Sequence, residues 1–163
     1  MEISRFIYEE IQYRVGAYIS EFGNIKIPNP YFGLTTRSSK KRREKFPPEK
    51  YDRHYMRIPL KNPIGLYKKV YHIFEDFLKD WNYVAFTAHR DDREKRSRIY
   101  QRGLENMGFR LVYVYICPWD KSFVEYFFAR PGYELKKKEI KRLIKSSYGS
   151  WKQDEDGYWE EDI

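Results

Sequence analysis

The chain has 163 residues, with 32 Lys and Arg against 24 Asp and Glu, and a net charge of +8. One cysteine and three histidines exclude an intrachain disulfide and a Cys/His zinc cluster, and no metal ligands are expected. A chain this long buries roughly 70% of its unfolded surface as one domain, and no apolar run approaches the ~18 residues that a membrane span needs.

The opening Met1-Glu2-Ile3-Ser4-Arg5 scatters charge where a secretory signal would place an apolar core. The expected location is therefore the cytoplasm. Residues 3–22 allow either a strand alternation or a helix turn. Their β-branched and aromatic content, including Phe6, Tyr8, Ile11, Tyr13 and Val15, favours strand. Ile25 to Thr36 holds Pro28, Pro30 and Gly33 and reads as an edge strand or an irregular approach to one.

Residues 37–48 form a basic loop with no apolar period, carrying Arg37, Lys40, Lys41, Arg42, Arg43 and Lys45 and closed by Pro47-Pro48. His54 to Leu60 alternates as a short strand. Asn62-Pro63 then opens the strongest helix, since Asn suits the N-cap and Pro the first helical position. Its apolar stripe runs through Tyr67, Val70, Tyr71, Phe74, Phe77, Leu78 and Trp81, with Asn82 as its end.

Tyr83 to Ala88 is a nearly continuous apolar run, expected as a strand covered on both faces. Asp91 or Asp92 caps a second helix with a stripe of Ile99, Tyr100, Gly103, Leu104 and Met107, and Gly108 stops it. Arg110 to Ile116 and Phe123 to Ala129 pair as a hairpin. Tyr133 to Tyr148 is a last helix with Leu135, Ile140, Leu143 and Ile144 inward and its lysines outward. Residues 152–163 hold one lysine and six acids, a net −5. The total of +8 then leaves the rest of the chain at +13. The tail reads as solvated, flexible or bound to a partner.

The helix from Arg98 to Phe109, which carries Ile99-Tyr100 and closes on Gly108-Phe109, resembles the second half of the GNAT acyltransferase superfamily. So does the strand, helix, strand, helix, strand, strand order of His54 to Arg130. The Phe86-Thr87-Ala88 strand followed by Ile99-Tyr100 is also similar to small bacteriophage-encoded proteins. The resemblance implies an α/β (α+β) fold in residues 1–151: a mixed, mostly antiparallel central sheet flanked by helices, with a basic C-terminal helix and the acidic tail. It also implies an acetyl-CoA cradle at Asn62, Ile64, Gly65 and Leu66, with Tyr100 as general acid. His54 is the nearest candidate base. Pro63 supplies no N–H to such a cradle, and Tyr67 stands where the family has a small residue.

Arg37, Lys40, Lys41, Arg42 and Arg43, together with Arg90, Arg93 and Arg96, could instead contact a polyanion or an acidic partner. Three functions therefore stand side by side. The first is a non-catalytic structural or interaction protein with no cofactor, a component of a bacteriophage virion or other assembly in the host cytoplasm. The second is a divergent acyl-CoA-dependent N-acyltransferase. The third is a nucleic-acid-binding protein.

Overall fold

Two neighbouring residues with positive φ, Glu9 at 47° and Glu10 at 67°, turn the N-terminal stretch back on itself. A two-residue turn of this hand matches the natural twist of paired strands. The expected single element over residues 3–22 is thus two, β1 (Glu2–Tyr8) and β2 (Ile11–Phe22), antiparallel with Tyr8 opposite Ile11. Glutamates at such a turn carry no sequence signal, because Asn or Gly ordinarily fills it.

A computed structural model describes residues 1–34, 60–89, 95–117 and 121–147, and the backbone of 151–153 and 159–161. The further strands are β3 (Ile25–Leu34), β4 (Tyr83–His89), β5 (Arg110–Ile116), β6 (Phe123–Ala129), β7 (Trp151–Gln153) and β8 (Trp159–Glu161). The helices are α1 (Pro63–Leu78), α2 (Lys95–Asn106) and α3 (Lys137–Ser147). Two antiparallel three-stranded sheets, ordered β1-β2-β3 and β4-β6-β5, and a β7-β8 ribbon complete a mixed α+β architecture. The chain divides into two compact units: Met1–Tyr18 with Pro30–Lys79, and Ile19–Asn29 with Asp80–Ile163.

In the first unit the strand alternation decides which face is wet. Ile11, Tyr13 and Val15 of β2 are buried, while Arg14 between them is exposed. The buried face lies against Leu66 and Val70 of α1, with Phe6, Phe32 and Phe74 around them. Phe6 stacks on Tyr13 at 5.6 Å, and Phe32 meets Phe74 edge-on at 6.4 Å. β3 is an edge strand, as its prolines require. Asn62 caps α1 as expected, but the helix ends at Leu78, and the fully buried Leu66 belongs to its inward stripe.

In the second unit β6 lies between β4 and β5 and is antiparallel to both. Arg110–Ile116 and Phe123–Ala129 pair as the sequence predicts. β6 is buried on both faces from Val124 to Ala129, and β4 is buried on both from Val84 to Phe86, as its apolar run predicts; β4 pairs on one side among the described residues and leaves Thr87 and His89 exposed. Continuous apolarity in β4 therefore does not mark the central position. That place falls to the strand inserted last.

Odd residues of β6 face a cluster of Ile27, Ala85, Tyr115, Phe127 and Ile140. Even residues face the other way, where Phe86 stacks on Tyr126 (4.7 Å) and Phe128 (5.6 Å). α2 terminates at Gly108, whose φ of 96° suits glycine, with Phe109 N–H donating to Leu104 C=O and Gly108 N–H to Glu105 C=O. Ile99, expected inward, is 49% exposed, so the inward stripe of α2 is narrower than its apolar content suggests. α3 begins at Lys137, four residues after the expected start. Lys136, Lys137, Lys138, Lys141 and Arg142 are exposed, and Ile140 is buried.

Candidate functional site

The start of α1 is where the resemblance puts an anionic cofactor, and helix starts do attract anions through unpaired N–H groups. Here the anion is the protein's own Glu9. Its carboxylate accepts from the N–H of Lys61 at 2.6 Å and of Asn62 at 3.0 Å. The Asn62 side-chain oxygen accepts from Gly65 N–H at 3.0 Å, and Tyr8 donates its hydroxyl to the Asn62 carbonyl at 2.6 Å.

Gly65 has a local reason to lack a side chain. A Cβ there would collide with the Tyr8 hydroxyl and the Asn62 amide. Leu66 is fully buried in the core, while Ile64 is 65% exposed. The four expected cradle residues are thus adjacent, but the N–H groups of Asn62 and Gly65 already have carboxylate and amide partners from the chain.

Tyr100 lies on α2 in the second unit, half-buried, with its ring 5.4 Å from Phe86. His54, Arg37, Lys40, Lys41, Arg42, Arg43, Arg90 and Arg93 lie outside the described residues, as does the side chain of Arg96.

One group escaped the sequence reading. Glu125 sits in the middle of β6 and is 1% exposed. Its cross-strand neighbours are Thr87 on β4 and Tyr115 on β5. The Tyr115 hydroxyl donates to its carboxylate at 2.6 Å. Burial disfavours the charged carboxylate and raises its pKa to about 7; the Tyr115 hydrogen bond opposes this more weakly. A carboxyl tuned to that range can exchange a proton near neutral pH. The available signal was one acid in a strand, Phe-Val-Glu-Tyr-Phe-Phe-Ala, otherwise composed of apolar and aromatic residues.

Glu125 and Tyr100 do not form an acid–base pair. Glu125 shares the face of Phe127 and Tyr115, whereas Tyr100 packs on Phe86 across the face of Tyr126 and Phe128. The sheet separates them. Among the described residues no cluster of three or more His, Cys, Asp or Glu side chains could hold a metal, and no helix is long and apolar enough to cross a membrane. Cys117 is buried and unbridged. Comparison with protein-family models, with curated proteins and with solved structures gives no match.

Proposed function

We propose that this chain is a non-catalytic GNAT-like interaction protein, a component of a larger assembly such as a bacteriophage virion, working through charge-complementary contacts. The observation that carries the reading is Glu9 at the start of α1. A carboxylate from the chain itself occupies the Asn62 N–H of the expected cradle and the Lys61 N–H before it, and the Asn62 side chain holds the Gly65 N–H, so two of the cradle donors already have partners. The exposed cations of α3 supply one contact surface, and the acidic tail supplies the opposite charge.

The test is a calorimetric titration with acetyl-CoA at low salt, with thermal melts beside it. The expected result is no heat and an unchanged Tm. Saturable heat with a rise in Tm overturns the reading.

An acyl-CoA-dependent N-acyltransferase is the second reading, and Glu125 is the observation in its favour, since a carboxyl near pKa 7 suits general-base work. Acetyl transfer from acetyl-CoA to an amine, lost in Glu125→Gln with the fold intact, would establish the enzyme in place of the contact protein.

A further inference from the structure

α3 is fastened to the second unit by one side only. Ile140 is buried in the cluster of Ala85, Tyr115 and Phe127, and Leu135 and Leu143 pack against it half-buried. Lys136, Lys137, Lys138, Lys141 and Arg142 are exposed, and none is in an ion pair among the described residues. Spacings of three and four between Lys137 and Arg142 make these side chains neighbours on the helix surface, where like charges repel. Lys137 and Lys138 also stand in the first turn, the end at which the helix dipole favours acids. Lys137 has one neighbour that eases its charge, the Tyr113 ring, with its centroid 5.4 Å away. Of the acids beside them, Glu134 accepts from the Gly132 N–H and Glu139 is half-buried. So many cations cost α3 stability, and carboxylates from outside the helix would relieve them.

We propose that this face of α3 seats the acidic tail of a second copy, residues 152–163, so that copies join head to tail. The inference deepens the contact-protein reading by naming the partner, and it rests on that reading. Three observations select a second copy. Every copy brings the six carboxylates that the face lacks. Two whole chains repel each other at +8 apiece, and the approach of one tail to another's basic helix is the orientation in which the sign reverses. The tail also leaves the helix of its own chain unsatisfied. Its ribbon begins at Trp151, just beyond the end of α3 at Ser147, yet β7 and β8 pair with each other and the five cations stay unpaired among the described residues. A nucleic acid would match the charge of the face too, but it would meet six acids directly downstream and be repelled by them. A tail-to-helix contact is heterologous, so each copy offers one free tail and one free helix until a ring closes.

The experiment is sedimentation of the nuclease-treated full chain over a range of concentrations, at low and at high salt. Two variants are compared. One combines Lys136→Gln, Lys138→Gln, Lys141→Gln and Arg142→Gln, and in the other the six acids of residues 152–163 become their amides. The four replaced cations are exposed and Lys137 keeps its place by Tyr113, so the core stays intact, and circular dichroism verifies it. The proposal expects mass to climb with concentration at low salt and to fall towards that of one chain at high salt, since screening removes exposed ion pairs. Either variant alone should weaken the association about tenfold. Mixed in equal amounts, the two should form a 1:1 complex that grows no further, because the first supplies an intact tail and the second an intact helix.

A chain that stays monomeric at low salt overturns the proposal. Association that both variants leave unchanged overturns it too. So does a mixture that stays dissociated, the result expected if each tail turns back on its own helix. Association present before nuclease treatment and absent after it would assign the face to nucleic acid and overturn the proposal as well. The acetyl-CoA titration reads the parent proposal separately, because neither α3 nor the tail contributes to the hydrogen bonds at the start of α1. A monomer that binds no acetyl-CoA sinks this inference alone. Acetyl-CoA binding beside tail-dependent assembly sinks the parent reading alone.

Discussion

Glu125 is the residue whose energetics depend most on where it lies. An isolated carboxyl moved into an apolar strand loses hydration that one hydroxyl does not replace, and its pKa rises from 4.5 to about 7. The folded state therefore holds this proton more tightly than the unfolded chain. The resulting stability is fully present below pH 4.5 and is lost as pH climbs to 7, a loss of about 3 kcal/mol. In Glu125→Gln the amide still accepts from Tyr115 and no longer titrates. Urea unfolding at pH 5 and pH 8 is expected to show a loss for the parent chain and little change for the variant. Arg130 is held by three partners. Its Nε donates to the Trp81 carbonyl at 2.8 Å, its Nη1 donates to the Met107 carbonyl at 2.9 Å, and its guanidinium stacks on Phe109 at 4.1 Å. Lysine keeps the charge but not the planar fork. Arg130→Lys should cost about 2 kcal/mol, read as a lower urea midpoint with an unchanged slope.

The β1–β2 turn is a conflict between local preference and a longer-range contact. Both glutamates occupy the left-handed region, which costs a side-chain-bearing residue about 1 kcal/mol or more. Glu9 recovers part of that by holding the approach to α1 through the N–H groups of Lys61 and Asn62. Glu10 is exposed and has no such compensation among the hydrogen bonds described. Glu10→Gly should therefore stabilise the chain by about 1 kcal/mol, seen as a higher urea midpoint. The same change at Glu9 would remove strain and hydrogen bonds together. The α2 end needs no compromise, because Gly108 supplies the left-handed residue and Arg130 reaches the Met107 carbonyl beside it.

Charge is the property of the whole chain that bears most directly on its contacts. The six acids of residues 152–163 offset part of a strongly basic remainder. Replacing them by their amides should move elution from a heparin column to higher salt, because the net positive charge facing the polyanion rises. An unchanged elution position would mean that the tail does not modulate polyanion contact.

Much of the element order was legible in the residues. Asn62-Pro63 marked the start of α1 and Gly108 the end of α2, and the pairing of Arg110–Ile116 with Phe123–Ala129 followed from a short apolar hairpin pattern. These signals are local: a cap, a left-handed residue, a turn between two apolar runs. The β1–β2 turn was hidden because glutamate does not favour its geometry. The order β4-β6-β5 was hidden because apolarity reports burial and not which strand lies in the middle. The site followed the same division. Asn62 to Leu66 could be found from sequence as a helix start, but not that Glu9, more than fifty residues earlier, already holds the Asn62 N–H. Glu125 appeared in the sequence as one acid in a strand. Only the cross-strand register put Tyr115 beside it and apolar groups around it. What the chain determines by itself is what neighbouring residues decide among themselves. Which charge is buried, and which anion meets which helix, depends on contacts between distant segments, and those exist only once the chain has folded.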